Sequence, residues 1–66
     1  MRIKVNGETR EFPAPMNVKA LTETLRLNPT QIAVEHNCRI VPRSTYAQVE
    51  LNEGDAIEIV HFIGGG

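Results

Sequence analysis

The chain has 66 residues, one cysteine and a net charge of −1 at pH 7, from seven Lys and Arg against eight Asp and Glu. This length allows one small domain, and nucleic-acid binding is disfavoured because the charge is balanced and no stretch of the sequence concentrates basic residues. No apolar run approaches the roughly 20 residues of a membrane span, and small exported domains usually hold several cysteines. We therefore expect a cytoplasmic protein that binds neither nucleic acid nor membrane.

The first predicted element is a β-hairpin. Polar and apolar residues alternate over Met1–Val5, which is the period of a half-buried strand. Asn6-Gly7 supplies two positions that tolerate positive φ and so predicts a type I′ turn. A second strand over Glu8–Phe12 then returns antiparallel, and the prolines that follow Phe12 end it.

A single main helix is predicted next. Asn17 is a suitable N-cap, and apolar residues follow at the spacing of one helical stripe, with Thr22 off that stripe. The stripe consists of Val18, Leu21 and Leu25. The helix must end before Pro29, which gives it about three turns. Because so short a helix is marginal alone, its stripe is expected to pack on a sheet.

Three strands are predicted in the second half of the chain, over Ile32–Glu35, Arg39–Val41 and Ala56–Ile63. The segment Ser44–Val49 is expected to hold a short helical turn anchored by Tyr46. The last strand is apolar on both faces and would promote aggregation at a sheet edge. We therefore place it centrally and parallel to the first strand, in a mixed sheet with the helix packed on one face.

A glycine run ends the sequence: Gly64, Gly65 and Gly66. Glycine lowers the stability of any ordered element, so the run is predicted to be a flexible tail after a domain of residues 1–63. Such a tail fits a narrow channel and presents the Gly66 carboxylate to a nucleophile. That carboxylate needs activation, commonly by AMP transfer from ATP, and an activating enzyme must supply the phosphate-binding loop and the magnesium ligands.

These features together resemble the ThiS family, the sulfur carrier proteins of thiazole biosynthesis. The resemblance covers essentially the whole chain and rests on the Asn6-Gly7 hairpin, the segment Ile40–Ser44, the Gly54-Asp55 turn and the Gly65-Gly66 end. It implies an α+β, ubiquitin-like β-grasp fold with four to five strands and one main helix. Cys38 departs from the family pattern. It follows Asn37 in the turn between the strands Ile32–Glu35 and Arg39–Val41, where the family usually has glycine after the asparagine.

The resemblance also implies a function. Gly66 is adenylated by a ubiquitin-activating-type adenylyltransferase, is converted to a thiocarboxylate, and donates its sulfur to thiazole synthase for the thiamin thiazole ring. The chain is then a protein co-substrate without catalytic residues, monomeric when free, with no stably bound cofactor, because ATP and magnesium are used by the partner enzyme. Alternatives with the same chemistry are sulfur transfer to a molybdopterin precursor or to tRNA, or attachment to other proteins. An alternative of another class is an interaction module whose tail has no chemical role.

A docking surface is predicted beside the tail, because one short helix shields only one face of the central strand. It consists of Val60, Phe62 and Ile63. Cys38 is expected to be unreactive, since no basic cluster near it in sequence lowers its pKa. No metal site is expected from His36, Cys38 and His61, because no pair of them has a recognised zinc spacing.

Overall fold

The structure is a computed structural model that describes residues 1–62. Within them the chain forms β1 (Arg2–Val5), β2 (Glu8–Glu11), α1 (Val18–Thr24), β3 (Ile32–His36), β4 (Arg39–Val41) and β5 (Ala56–His61). Two 3₁₀ helices, Pro29–Gln31 and Arg43–Gln48, precede β3 and follow β4. The predictions for Ile63 and the three glycines, and with them the boundary between domain and tail, lie outside the described residues.

The strands form one mixed sheet in the order β2-β1-β5-β3-β4. β5 lies at its centre, parallel to β1 and antiparallel to β3, which confirms the placement predicted from its apolar residues. The face that carries Ile57 and Ile59 is buried, and α1 contributes Val18 and Leu21 to the same core. The core side chains drawn from sheet, helix and loops are Ile3, Val5, Phe12, Met16, Val18, Leu21, Ile32, Val34, Val41, Tyr46, Leu51, Ile57 and Ile59.

Both hairpin turns contain two consecutive residues with positive φ. In the first, Asn6 and Gly7 have φ of 50° and 82°, as a type I′ turn requires, so that prediction is confirmed. In the second, Asn37 and Cys38 have φ of 51° and 70°. The cysteine therefore occupies the left-handed position that glycine fills in the first turn, and its side chain makes that conformation costly.

The helix is shorter than predicted. α1 has seven residues and ends at Thr24, whereas the sequence predicts about three turns. Arg26 adopts a positive φ of 57°, the Arg26 amide donates to Glu23 O and the Leu27 amide donates to Thr22 O. This is a Schellman motif with arginine in the position that glycine usually takes, and it ends the helix before Pro29 can do so.

Thr22 is buried, contrary to its predicted position away from the apolar stripe. Its hydroxyl donates to Lys19 O at 2.8 Å, so burial leaves no polar group unsatisfied. The 3₁₀ helix Arg43–Gln48 packs on this side of α1 through Tyr46, which is buried as predicted. Val18, Leu21 and Thr22 follow at i, i+3 and i+4, so Thr22 lies on the same buried face of the helix as the two apolar residues.

Candidate functional site

Strand β5 leads directly to the predicted reactive end of the chain. It ends at His61, but the Phe62 amide still donates to Gln31 O at 2.9 Å, so pairing with the β3 side of the sheet extends one residue further. Gly66, the predicted site of adenylation and thiocarboxylate formation, and its neighbours Gly64 and Gly65 lie outside the described residues. The chemistry at Gly66 therefore stays a prediction from sequence.

Two asparagine side chains fix the backbone of β5. Asn6 accepts a hydrogen bond from the Ile59 amide at 2.7 Å and donates one to Ile59 O at 3.2 Å, so it continues the β1 ladder where the backbone turns away. The Asn37 side-chain oxygen accepts a hydrogen bond from the Ala56 backbone amide at 2.9 Å, and the Asn37 backbone amide donates one to Ala56 O at 2.8 Å. Both hairpin turns thus hold the central strand that carries the tail.

The sheet face opposite α1 is open and carries exposed apolar side chains. Val60 is 58% exposed and Phe62 is 53% exposed, whereas Ile57 on the covered face is fully buried. Val60 pairs with Ala33 on β3, and alternation places Phe62 on the same face as Val60. We call this surface the open face. Val60 and Phe62 are thus accessible for the predicted docking, and Ile63 lies outside the described residues.

Ile40 extends the open face and was missed in the sequence analysis. It lies on β4 opposite Glu35 and is 78% exposed. The signal that identifies it is the alternation within Arg39–Val41: once Val41 is assigned to the core, Ile40 must face outward. The open face therefore carries exposed apolar groups from both β4 and β5.

The side chains considered for a metal site do not converge. His36 pairs with Ile57 and His61 pairs with Ile32, so the two histidines lie at opposite ends of the β3–β5 ladder, about 13 Å apart at ~3.3 Å per residue. His36 Nε2 lies 2.7 Å from Asp55 Oδ2 instead. Within residues 1–62 no three His, Cys, Asp or Glu side chains are grouped as metal ligands.

Asp55 organises the turn that precedes β5. Besides His36, its carboxylate accepts hydrogen bonds from the Asn52 amide at 2.8 Å and from Asn37 Nδ2 at 3.1 Å. Burial alone raises the pKa of Asp55, but the hydrogen bonds from His36, Asn52 and Asn37 outweigh it and hold the pKa below its ordinary value. This network stabilises the start of β5 and lies at the end of the strand remote from the tail.

Cys38 is exposed at the tip of the second hairpin. It follows Asn37, whose side chain is already engaged by Ala56 and Asp55.

The described part of the chain holds no helix with the length and hydropathy of a membrane span. The sequence profile of the ThiS family matches residues 3–66. A sulfur carrier protein ThiS from Bacillus subtilis is 41% identical over 65 residues, which is 97% of this chain and 98% of the relative. A thiazole synthase from Paramagnetospirillum magneticum is 53% identical over all 66 residues, and a thiazole synthase from Magnetococcus marinus is 46% identical. This chain spans only 20% of the length of each of these two synthases.

A solved structure gives the same result for the fold. The crystal structure of a thiamine biosynthesis protein (ThiS) from Geobacter metallireducens superposes with a TM-score of 0.86, covers all of both chains and is 29% identical. Its agreement with the five-stranded mixed sheet and the single main helix confirms the predicted ubiquitin-like β-grasp fold. The chain belongs to the ThiS family of sulfur carrier proteins of thiamin biosynthesis.

Proposed function

We propose that the chain carries sulfur as a thiocarboxylate on Gly66 and delivers it to thiazole synthase. A carboxylate oxygen of Gly66 attacks the α-phosphorus of ATP on a ubiquitin-activating-type adenylyltransferase, and pyrophosphate leaves. A hydrosulfide-equivalent donor then attacks the acyl carbon, and AMP leaves with the bonding electron pair. ATP and magnesium bind to the partner enzyme, and we place the reaction in the cytoplasm, where ATP is available. The proposal requires a free carboxylate at Gly66.

The observation that carries this proposal is the family match that extends to residue 66, over the glycine run that follows β5. The fold supports it mechanically. β5 is paired on both sides and is held by Asn6 and Asn37, so whatever extends from it starts at a rigid strand. A reactive group at the end of a short tail is then placed by docking of the whole domain, which lowers the entropy lost on reaching the active site.

The open face is the surface we propose for docking, with Val60, Phe62 and Ile63 as predicted and Ile40 in addition. Val60, Phe62 and Ile40 are each more than half exposed, so their burial by a partner removes apolar area from water. The neighbouring side chains that face inward are already buried in the core. Substitution on the open face is therefore expected to affect partner binding without unfolding the domain.

The test separates the carboxylate from the docking surface. A variant extended by one alanine after Gly66 is expected to lose thiocarboxylate formation and to bind the adenylyltransferase within a few-fold of the wild type. The variant Val60→Ser is expected to keep the reactive end, to bind more weakly, and to recover its rate at higher enzyme concentration. An interaction module with an inert tail predicts that the extended variant matches the wild type in every assay, and that result would refute the proposal.

A further inference from the structure

Two carboxylates lie directly opposite each other on the open face. Glu35 on β3 is the register partner of Glu58 on β5, and both side chains point away from α1. Directly opposed residues in an antiparallel pair have Cβ atoms about 4.5–5.5 Å apart, and like charges in that arrangement are destabilising. Among the described residues, neither carboxylate takes part in an ion pair. Two like charges therefore lie side by side at the middle of the sheet, and we expect them to lower the stability of the free domain.

Exposed apolar groups adjoin this acidic pair on two sides. Ile40 is the register partner of Glu35 on β4, and Val60 lies two residues beyond Glu58 along β5. Glu35 is itself half-buried between these strands. A partner that covers both Ile40 and Val60 must also remove the two carboxylates from water.

Removing two like charges from water is unfavourable unless a cation accompanies them. An arginine meets this requirement, because its planar guanidinium has five donors and can bridge two carboxylates at once. The charge pattern of the face thus specifies its partner: an apolar protein surface with an arginine at its centre. A partner without that cation is disfavoured by the same desolvation cost, so the acidic pair also provides specificity.

We propose that this partner is thiazole synthase and that one of its arginines binds between Glu35 and Glu58. This inference rests on the proposed function. We choose the synthase as the partner because two thiazole synthases contain a segment similar to this whole chain. In those two proteins the segment similar to this chain and the rest of the synthase therefore belong to one polypeptide. Glu58 precedes Gly66 by eight residues, so at up to ~3.6 Å per residue the chain allows at most about 29 Å between their Cα atoms, and the arginine must lie within that reach plus the length of the Glu58 side chain.

The test is a comparison of Glu58→Gln with Glu23→Gln, which removes an exposed carboxylate from α1 on the other side of the domain. Binding to the thiazole synthase of the same organism is measured by calorimetry at low and high salt, and Tm by circular dichroism. For Glu58→Gln we expect Kd to rise at least tenfold at low salt, its salt dependence to become shallower, and Tm to rise by about 2–4 °C as the repulsion disappears. Glu35→Gln is expected to behave in the same way, and Glu23→Gln is expected to match the wild type.

Several results overturn this inference. They are an unchanged Kd for the synthase in Glu58→Gln, an equal loss of synthase affinity in Glu23→Gln, and no binding of the wild type to the synthase. The inference also fails if Glu58→Gln binds more weakly to the adenylyltransferase but not to the synthase. Thiocarboxylate formation is measured in parallel at saturating adenylyltransferase. A wild-type rate for Glu58→Gln there, with an unchanged Kd for the synthase, refutes the acidic-pair inference and leaves the proposed function intact. No thiocarboxylate on the wild-type chain refutes the proposed function itself.

Discussion

Replacement of Cys38 by glycine is expected to stabilise the domain, although it deletes a side chain. Cys38 has a φ of 70°, and a residue with a Cβ in the left-handed region costs about 1–2 kcal/mol. Glycine removes that cost but adds about 0.5–1 kcal/mol of backbone entropy to the unfolded chain. The difference is a net gain of about 0–1.5 kcal/mol in the free energy of unfolding. Its midpoint corresponds to a Tm increase of roughly 3–6 °C for a domain of this size.

The control is the same substitution at the preceding residue. Asn37 also has a positive φ, but its side chain accepts from the Ala56 amide and donates to Asp55. Asn37→Gly therefore loses two hydrogen bonds and is expected to lower the free energy of unfolding by about 1–2 kcal/mol. Both variants are compared with the wild type by urea and thermal denaturation, followed by circular dichroism with a reductant present. If Cys38→Gly is less stable than the wild type, or Asn37→Gly more stable, the reasoning from backbone conformation is wrong.

Three further predictions concern the core, the hydrogen bonds from Asn6 to β5 and the stability of the domain at acid pH. Ile57→Ala is expected to lower the free energy of unfolding by about 2–4 kcal/mol, because its side chain is fully buried, whereas Val60→Ala on the open face should change it by less than about 0.5 kcal/mol in the same urea titration. Asn6→Gly keeps a residue that tolerates positive φ but removes both side-chain hydrogen bonds to Ile59, so the free energy of unfolding is expected to fall by about 1–2 kcal/mol. Wild-type stability in this variant would show that these two hydrogen bonds contribute nothing. The pKa of Asp55 is lower in the folded protein than its ordinary value of about 3.9, so the ionised carboxylate stabilises the fold above that value, and this stabilisation is lost as the pH falls through the folded pKa. Between pH 4 and pH 2 the Tm of Asp55→Asn should therefore fall less steeply than the Tm of the wild type. Parallel plots of Tm against pH for the two proteins would contradict this.

The sheet was predictable from sequence because its determinants are local or compositional. Asn6-Gly7 specifies a tight hairpin by itself. The residues of β5 are apolar on both faces, which excludes an edge position and leaves the centre of the sheet beside β1. The second hairpin also formed in the predicted place, even though Cys38 replaces the glycine that favours such a turn.

The remaining features depend on contacts that sequence does not display. The end of α1 is set by Arg26 in a left-handed conformation, and no glycine marks that position. The acidic pair exists only because the β3–β5 register places Glu35 opposite Glu58, and register between strands far apart in sequence cannot be inferred from either strand alone.

Intact mass spectrometry tests whether sulfur is transferred at the carboxyl group of Gly66. The chain is incubated with ATP, magnesium, the adenylyltransferase and a sulfide source, then measured whole and after proteolysis. We expect a mass gain equal to the replacement of one oxygen by sulfur, dependent on ATP and confined to the peptide that ends at Gly66. A gain confined to the peptide that contains Cys38, or one that forms without ATP, would contradict this expectation.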